Sequence, residues 1–250
     1  MNTSQQEVAD KVIDYRQTNE RELRDAVNAM PTPDPDSDEL PPLIELRNID
    51  GLDAACMRWR ANIRVRATGD WGDYAWAHNG GPDVTLHGNV GDGFGEGMHG
   101  GLLHLTGDAG CGCGTSMTGG TLAVLGSAGD RCGAAMRGGG LFVRGHVGDD
   151  AGMGALAGTL VIGGDAGHRL GEGFTVGDLG RLTIFIRGQA ASLAQNVIET
   201  KLRPKETVRL GLLLMSASIR GEASDFRRIV STERFRQEEK GLGDIRPSWR

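Results

Sequence analysis

The residue types most able to do chemistry in this chain are concentrated in the stretch GDAGCGCGTSMTGG, residues 107–120. Cys111 and Cys113 stand one residue apart, so they could serve as thiolate metal ligands or as a redox pair. The surrounding glycines would suit a phosphate-binding loop, and Ser116 lies where a nucleophile could stand on a tight turn. Thiol, phosphate-binding and hydroxyl chemistry are therefore the three possibilities to weigh against the rest of the sequence.

This stretch is one copy of a repeat, which changes how its residues are interpreted. The pattern G-x-x-G recurs every nineteen residues, and a degenerate copy follows an insertion near residues 176–180. The copies begin at Gly69, Gly88, Gly107, Gly126, Gly145, Gly164 and Gly188. Apolar positions keep the same spacing, as in the series Leu86, Leu105, Val124, Val143 and Ile162. In-phase columns of this kind are the signature of a solenoid.

The repeat unit predicts one short strand per turn. Its x-L-x-V segment alternates apolar and polar residues, as a half-buried strand does, and its glycine pairs suit turns. One unit cannot bury its own apolar face, but stacked copies can. The sequence predicts an all-β fold, a right-handed single-stranded β-helix of about seven 19-residue turns. A dinucleotide-binding α/β domain would need helices for which the repeat has no room, and a β-sandwich does not predict in-phase columns.

Within this repeat the cysteines and loops are better explained by packing than by chemistry. Cys113 and Cys132 are nineteen residues apart, in a column whose other members are Ala75, Phe94, Ala151 and Leu170. This column is predicted to be interior, where cysteine behaves as a small apolar residue. Cys111 is predicted to face solvent. A strand rather than a helix follows each glycine loop, which disfavours phosphate binding.

Acidic and polar residues also form columns, and these leave two interpretations open. One column contains Asp70, Asn89, Asp108, Ser127, His146 and Asp165, and the other contains Asp73, Asp92, Asp130 and Asp149. Their side chains are expected to accept hydrogen bonds from turn backbone, although acidic ladders bind calcium in some β-helices. We predict no catalytic, cofactor-binding or metal-binding residue in this chain; a free-standing enzyme that uses the acidic columns is the disfavoured alternative.

Composition restricts the function further. Of 250 residues 41 are glycine, and the net charge is −6, with an acidic start and a basic end. No basic cluster alternates with aromatic residues, so nucleic acid is not an expected partner. No secretory leader and no apolar run long enough to span a membrane is evident. Four cysteines do not suggest a disulfide scaffold. The predicted location is cytoplasmic.

The tandem G-x-x-G-x-x-x-G-x-x-M-x-G-G turns resemble the glycine-motif (GXGXG) β-helix at the C-terminus of the glutamate synthase large subunit. They are also similar to the stand-alone β-helix subunit of N-methylglutamate synthase and to the corresponding β-helix subunit of formylmethanofuran dehydrogenase. The flanks VIDYRQTNERELRDAVNAM and SLAQNVIETKLRP resemble those of the N-methylglutamate synthase type.

This resemblance implies a structural or docking subunit of an oxidoreductase complex in glutamate biosynthesis and nitrogen metabolism. The expected partners in this hetero-oligomer are a class II glutamine amidotransferase subunit and an FMN-binding subunit with an iron–sulfur cluster. The chain itself is expected to bind neither cofactor and to have no active site of its own. The alternative implied by the resemblance is the β-helix subunit of a formylmethanofuran dehydrogenase or formyltransferase/hydrolase complex.

The flanks complete the predicted organisation, with a helical segment and acidic Pro-rich linker at 1–42, the β-helix at 43–190 and a helical tail at 191–250. Asn19 is predicted to cap an amphipathic N-terminal helix. Leu193, Val197 and Ile198 show helical spacing, which predicts a helix there, and Pro204 is predicted to end that helix or to begin the next. An outward column forms a possible partner face, namely His104, Ala123, Phe142 and Val161. Its cover could equally be the chain's own C-terminal helix.

Overall fold

A computed structural model describes residues 8–30, 38–173, 181–216 and 222–240 of the chain. The predicted insertion at 176–180, the first seven residues of the Pro-rich linker and the last ten residues of the tail lie outside these ranges. Within them, no helix has the length and apolar character needed to cross a membrane.

The described fold is a parallel β-solenoid with helical flanks, as the repeat predicts. Within the described ranges, nine parallel strands stack in chain order. They are β1 (Lys11–Asp14), β2 (Leu43–Arg47), β3 (Arg64–Thr68), β4 (Asp83–His87), β5 (Leu102–Leu105), β6 (Thr121–Val124), β7 (Arg137–Val143), β8 (Ala157–Ile162) and β9 (Arg181–Ile186).

The solenoid has about six turns rather than the predicted seven. Successive strands from β3 to β8 pair at a spacing of 19 residues, for example Asp83 with Leu102 and Leu102 with Thr121. The step into β3 is 21 residues, and the step from β8 to β9 is 24 residues. The turns at both ends therefore depart from the repeat length, and the nineteen-residue register holds only in the middle.

The core is a set of apolar columns, each continued from turn to turn. The columns are Val84, Leu103, Leu122, Leu141 and Leu160; Leu86, Leu105, Val124, Val143 and Ile162; and Met98, Met117 and Met136, none more than 1% exposed. Because strand side chains alternate between the two faces, residues two apart in one strand point into the same core. Shifting a turn by one residue would expose its whole apolar set.

The side of the solenoid opposite these strands is closed by turns with left-handed backbone. Gly114, at φ +66°, is one member of a glycine column, and a Cβ there would lie 2.9 Å from the Leu141 side chain of β7. Its position therefore requires glycine both for its dihedral angle and for space. Isolated parallel bridges such as Val90 with Ala109 continue the stacking on this side.

The N-terminal segment covers the first turn. Helix α1 (Glu20–Asn28) is capped as predicted, because the Asn19 side chain accepts hydrogen bonds from the backbone N–H groups of Arg21 and Glu22. Its residues Leu23 and Val27 are buried against the solenoid core. The tryptophans that fill this end of the core are Trp59, Trp71 and Trp76, with ring centroids 5.4 and 6.0 Å apart.

The C-terminal tail contains the predicted helices, but it also contains strands, so the helix predicted over Leu193, Val197 and Ile198 is wrong. The residues Val197 and Ile198 begin strand β10 (Val197–Lys201) instead of continuing a helix. This strand pairs antiparallel with β11 (Arg227–Ser231), and β11 pairs antiparallel with β9. Sheet pairing with a strand much later in the chain overrides the local helical spacing. The antiparallel pair β11 and β10 therefore extends the sheet beyond β9, the last parallel strand.

Two further helices lie in the described part of the tail, α2 (Pro204–Ser216) and α3 (Thr232–Glu239). A buried ion-pair network joins them to β11. The Arg228 side chain, 3% exposed, donates to Glu206 in α2 at 2.9 Å and to Glu238 in α3 at 2.7 Å. Arg234 donates to Glu238 at 3.0 Å and to the backbone oxygen of Leu182 in β9 at 3.1 Å. The network fastens the tail to the last turn of the solenoid.

Glu238 makes the stability of this tail dependent on pH. Burial alone would raise the pKa of Glu238, but hydrogen bonds and charges from Arg228 and Arg234 outweigh it and lower that pKa below its usual 4.5. Because the folded pKa is depressed, this stabilisation is present above pH 4.5 and is lost as the pH falls through the folded value.

We therefore expect Glu238→Gln to cost about 1–3 kcal/mol at about pH 7, since a charged hydrogen bond is lost, and to flatten the fall in stability between about pH 6 and 3. Urea unfolding over that pH range measures both effects. The control is Glu239→Gln, at an exposed neighbour in the same helix. Equal effects of the two substitutions would contradict the assignment.

Candidate functional site

The first polar column is a ladder of hydrogen bonds between side chains and backbone. Each member accepts the backbone N–H of its counterpart one turn along, at 2.7–3.1 Å. The acceptors are Asp70, Asn89, Asp108, Ser127, His146 and Asp165. These side chains hold consecutive turns together in the way that capping residues hold a helix end.

The second polar column does the same at the next corner of each turn. Asp73 accepts the N–H of Asp92 at 2.8 Å, and Asp92 accepts the N–H of Cys111 at 2.7 Å. Asp130 and Asp149 continue the series. Across the described ranges, no group of three or more His, Cys, Asp or Glu side chains is arranged to hold a metal ion. The geometry of the acidic columns therefore supports hydrogen bonding to the turn backbone rather than calcium binding.

Cys113 and Cys132 are buried in adjacent turns, as the repeat predicts, and each is 0% exposed. A hydrogen bond with Cys132 and burial raise the pKa of the Cys113 thiol. The protonated thiol is therefore favoured, which is the opposite of what a nucleophile or metal ligand needs. Cys111 is only half-buried, with its backbone held by Asp92.

The repeat glycines allow the turns to approach one another closely. The N–H of Gly126 donates to the carbonyl of Gly107 at 3.0 Å, and Gly145 donates to Gly126 at 2.8 Å. A Cβ at Gly107 would collide with the carbonyl oxygen of Gly88. These glycines lead into backbone bridges of the next turn, and no described helix begins at any of them, so they lack the geometry of a phosphate loop.

The predicted partner face is covered by the chain's own tail. Ala123, Phe142 and Val161 are at most 2% exposed and form a second apolar cluster with Phe185 of β9. The tail contributes Leu210 and Leu214 of α2, together with Ala223 and Phe226. The sequence left two possible covers for this column, a partner or the chain's own C-terminal helix, and in the structure the helix covers it. Ala123, Phe142 and Val161 therefore form no exposed surface for a partner. His104, at the edge, is half-buried, and burial and nearby His87 lower its pKa.

Helix α2 exposes a different apolar surface, which the sequence analysis did not identify. We call it the α2 stripe: Val208, Leu212 and Met215, which are 69%, 65% and 79% exposed. Their spacing of four and three residues places them on one face of the helix, away from the buried Leu210 and Leu214. The apolar run of this segment was visible in the sequence, but which half of it faces outward depends on how the helix lies on the solenoid.

A second missed feature is a basic cleft of about 430 Å³ near the N-terminal end of the solenoid. It is lined by Arg58, Arg60, His78, Gly97, His99 and Thr118, which come from four successive turns. The histidines looked scattered in the sequence. The sequence signal that could have found the cleft is the replacement of glycine at one corner of the repeat. Arg58 and His78 occupy the left-handed backbone position that glycine fills at Gly97.

No family model matches this chain, and no curated protein sequence matches it. The family resemblance therefore stays a prediction that rests on the repeat motif and its flanks.

The polar ladders lead to a direct test at Asp92. Asp92→Ala should lower the free energy of unfolding by about 0.5–2 kcal/mol, since the Cys111 N–H loses its acceptor, as when a capping residue is removed. Asp92→Asn, which keeps an oxygen acceptor, should cost less. Urea unfolding gives both values. Calcium that raises the melting temperature of the wild type but not that of Asp92→Ala would instead indicate a metal site.

Proposed function

We propose that this chain is a non-catalytic docking subunit of a glutamate-synthase-like complex of the N-methylglutamate synthase type. In this proposal it bridges a class II glutaminase subunit, which releases ammonia, and a subunit that carries FMN and an iron–sulfur cluster. The complex acts in glutamate metabolism in the cytoplasm, and the solenoid is right-handed as in the family that the repeat resembles. In this role the chain positions the two catalytic subunits and catalyses no step itself.

The observation that carries the proposal is the α2 stripe. Helix α2 is already anchored on its inner face by the apolar cluster around Phe142 and by the ion pairs of Arg228. An anchored helix has no folding reason to expose three large apolar side chains in a row. Contiguous exposed apolar residues on an otherwise polar surface mark contacts with other proteins.

The architecture supports a spacer role. Eight parallel steps separate β1 from β9, and at about 4.8 Å per step the stack spans roughly 40 Å. Its core columns are filled and its polar columns are hydrogen-bonded within the chain, so the stack is a rigid rod with different surfaces at its two ends. A rod of this kind can hold two catalytic subunits at a fixed separation.

The α2 stripe provides the test. The tagged full-length chain, recovered from its native cell, should retain a class II glutaminase and an FMN- and iron–sulfur-containing protein in fixed stoichiometry. The triple substitution Val208→Ser, Leu212→Ser and Met215→Ser should remove at least one of them, because the apolar contact is lost. Circular dichroism should show an unchanged fold. Quantitative mass spectrometry of the recovered proteins measures the loss.

A matched control is the pair Val12→Ser and Leu40→Ser, at exposed apolar positions outside α2. It should retain both partners. Recovery of a formyltransferase and an amidohydrolase-like protein would favour the formylmethanofuran dehydrogenase alternative. Retention of both partners by the triple variant would exclude the α2 stripe as the interface, and glutamine turnover by the isolated chain would contradict the docking role.

A further inference from the structure

We propose that the basic cleft binds a small ligand through a phosphate group. This assignment does not depend on the proposed docking function. It rests on the charge of the cleft, on the side chains placed at one left-handed corner of the repeat and on the space left for two imidazole rings.

The cleft has one sign of charge. Its four ionisable lining residues are all basic, and no carboxylate is among the described residues that line it. Among the described residues, the side chains of Arg58 and Arg60 have no hydrogen-bond or ion-pair partner, whereas Arg169 and Arg228 are paired. An anion between the two guanidinium groups that line the cleft would interact favourably with both. On a chain of net charge −6, such a concentration of positive charge is a local arrangement rather than a general property.

The backbone gives an independent indication. Arg58 has φ +60° and His78 has φ +58°, in the left-handed region that side chains other than glycine adopt at a cost. The later turns keep the same conformation at this corner with glycine or a small side chain: Gly97, Ser116, Ala135, Gly154 and Gly173. Only the first two of these turns place a long side chain there, and both side chains are basic and line the cleft. The corner itself does not require them, and both bring a basic group to the cleft.

Glycines also make room for the two imidazole rings. A Cβ at Gly97 would collide with the His78 ring, and one at Gly80 would collide with the His99 ring. Each ring therefore lies against the backbone of a neighbouring turn, His78 toward the following turn and His99 toward the preceding one. Larger residues at these two glycines would displace the rings that line the cleft.

These groups suit a phosphate. A guanidinium group donates two parallel hydrogen bonds to phosphate oxygens, and two of them can hold a dianion. The Thr118 hydroxyl and the imidazole N–H groups can serve as further donors. A cleft of about 430 Å³ has room for a small phosphorylated molecule. The binding is non-covalent, and no group in the cleft has to change protonation for it.

The test is calorimetric titration of the full chain with inorganic phosphate, glycerol 3-phosphate and succinate at low salt. Arg58→Gly is the decisive variant, because glycine relieves the left-handed strain while it removes the guanidinium group. It should melt at or above the wild-type temperature and, with one bidentate donor lost, bind phosphate at least about tenfold more weakly. Arg60→Ala should weaken binding similarly. The control Arg144→Ala removes an exposed arginine away from the cleft and should bind like the wild type.

Each result decides the assignment. Tighter binding of glycerol 3-phosphate than of inorganic phosphate supports a phosphorylated metabolite as ligand, and the reverse order supports the free ion. Succinate binding as tightly as phosphate would overturn the phosphate assignment. No phosphate binding by the wild type, or equal binding by Arg58→Gly and Arg144→Ala, would overturn the site itself. If Arg58→Gly fails to fold, Arg58→Lys, which keeps the charge but loses the two-pronged donor, takes its place with the same expected weakening.

Discussion

The structure depends on one constraint, the in-register stacking of each turn on the next, at nineteen residues per turn from β3 to β8. Strand pairing, the apolar columns and both polar ladders all require the same register. Val84 pairs with Leu103 in the same nineteen-residue step that brings the Asp108 N–H to the Asn89 side chain. Since side chains alternate between faces, the register cannot slip by one residue without exposing the core. The repeat length therefore specifies the fold.

This constraint explains why the chain's reactive residues are scaffold. A carboxylate repeated in every turn can accept the backbone N–H of the next turn, so Asp73 and Asp92 are used in stacking. A cysteine in an interior column such as Cys113 packs on the one above it and stays protonated, because burial and its hydrogen bond raise its pKa. The two surfaces for which we propose binding lie where the repeat is broken. The basic cleft lies beside the irregular first turns, and the α2 stripe lies on the tail beyond the last one.

The repeat itself was predictable from the sequence because it is local and periodic. Columns such as Leu105, Val124 and Val143 need only a count of nineteen, and their burial confirms the prediction. The tail was not predictable in that way, since Val197 and Ile198 form a strand only because β11 pairs with them from much later in the chain. The cleft was hidden because Arg58 lies twenty residues before His78, outside the nineteen-residue alignment, although the backbone places both at the same corner.

Deleting one turn tests whether the nineteen-residue register holds the fold together. Removal of residues 88–106, nineteen residues, joins strand β4 to the next turn in register and leaves the surface under α2 intact. Removal of residues 89–106, eighteen residues, leaves one extra residue at the corner after β4 and puts the turns on either side of that corner one position out of register. We expect the first protein to unfold cooperatively in urea with reduced stability and the second to lose the cooperative transition. Equal stability of the two deletions would contradict it.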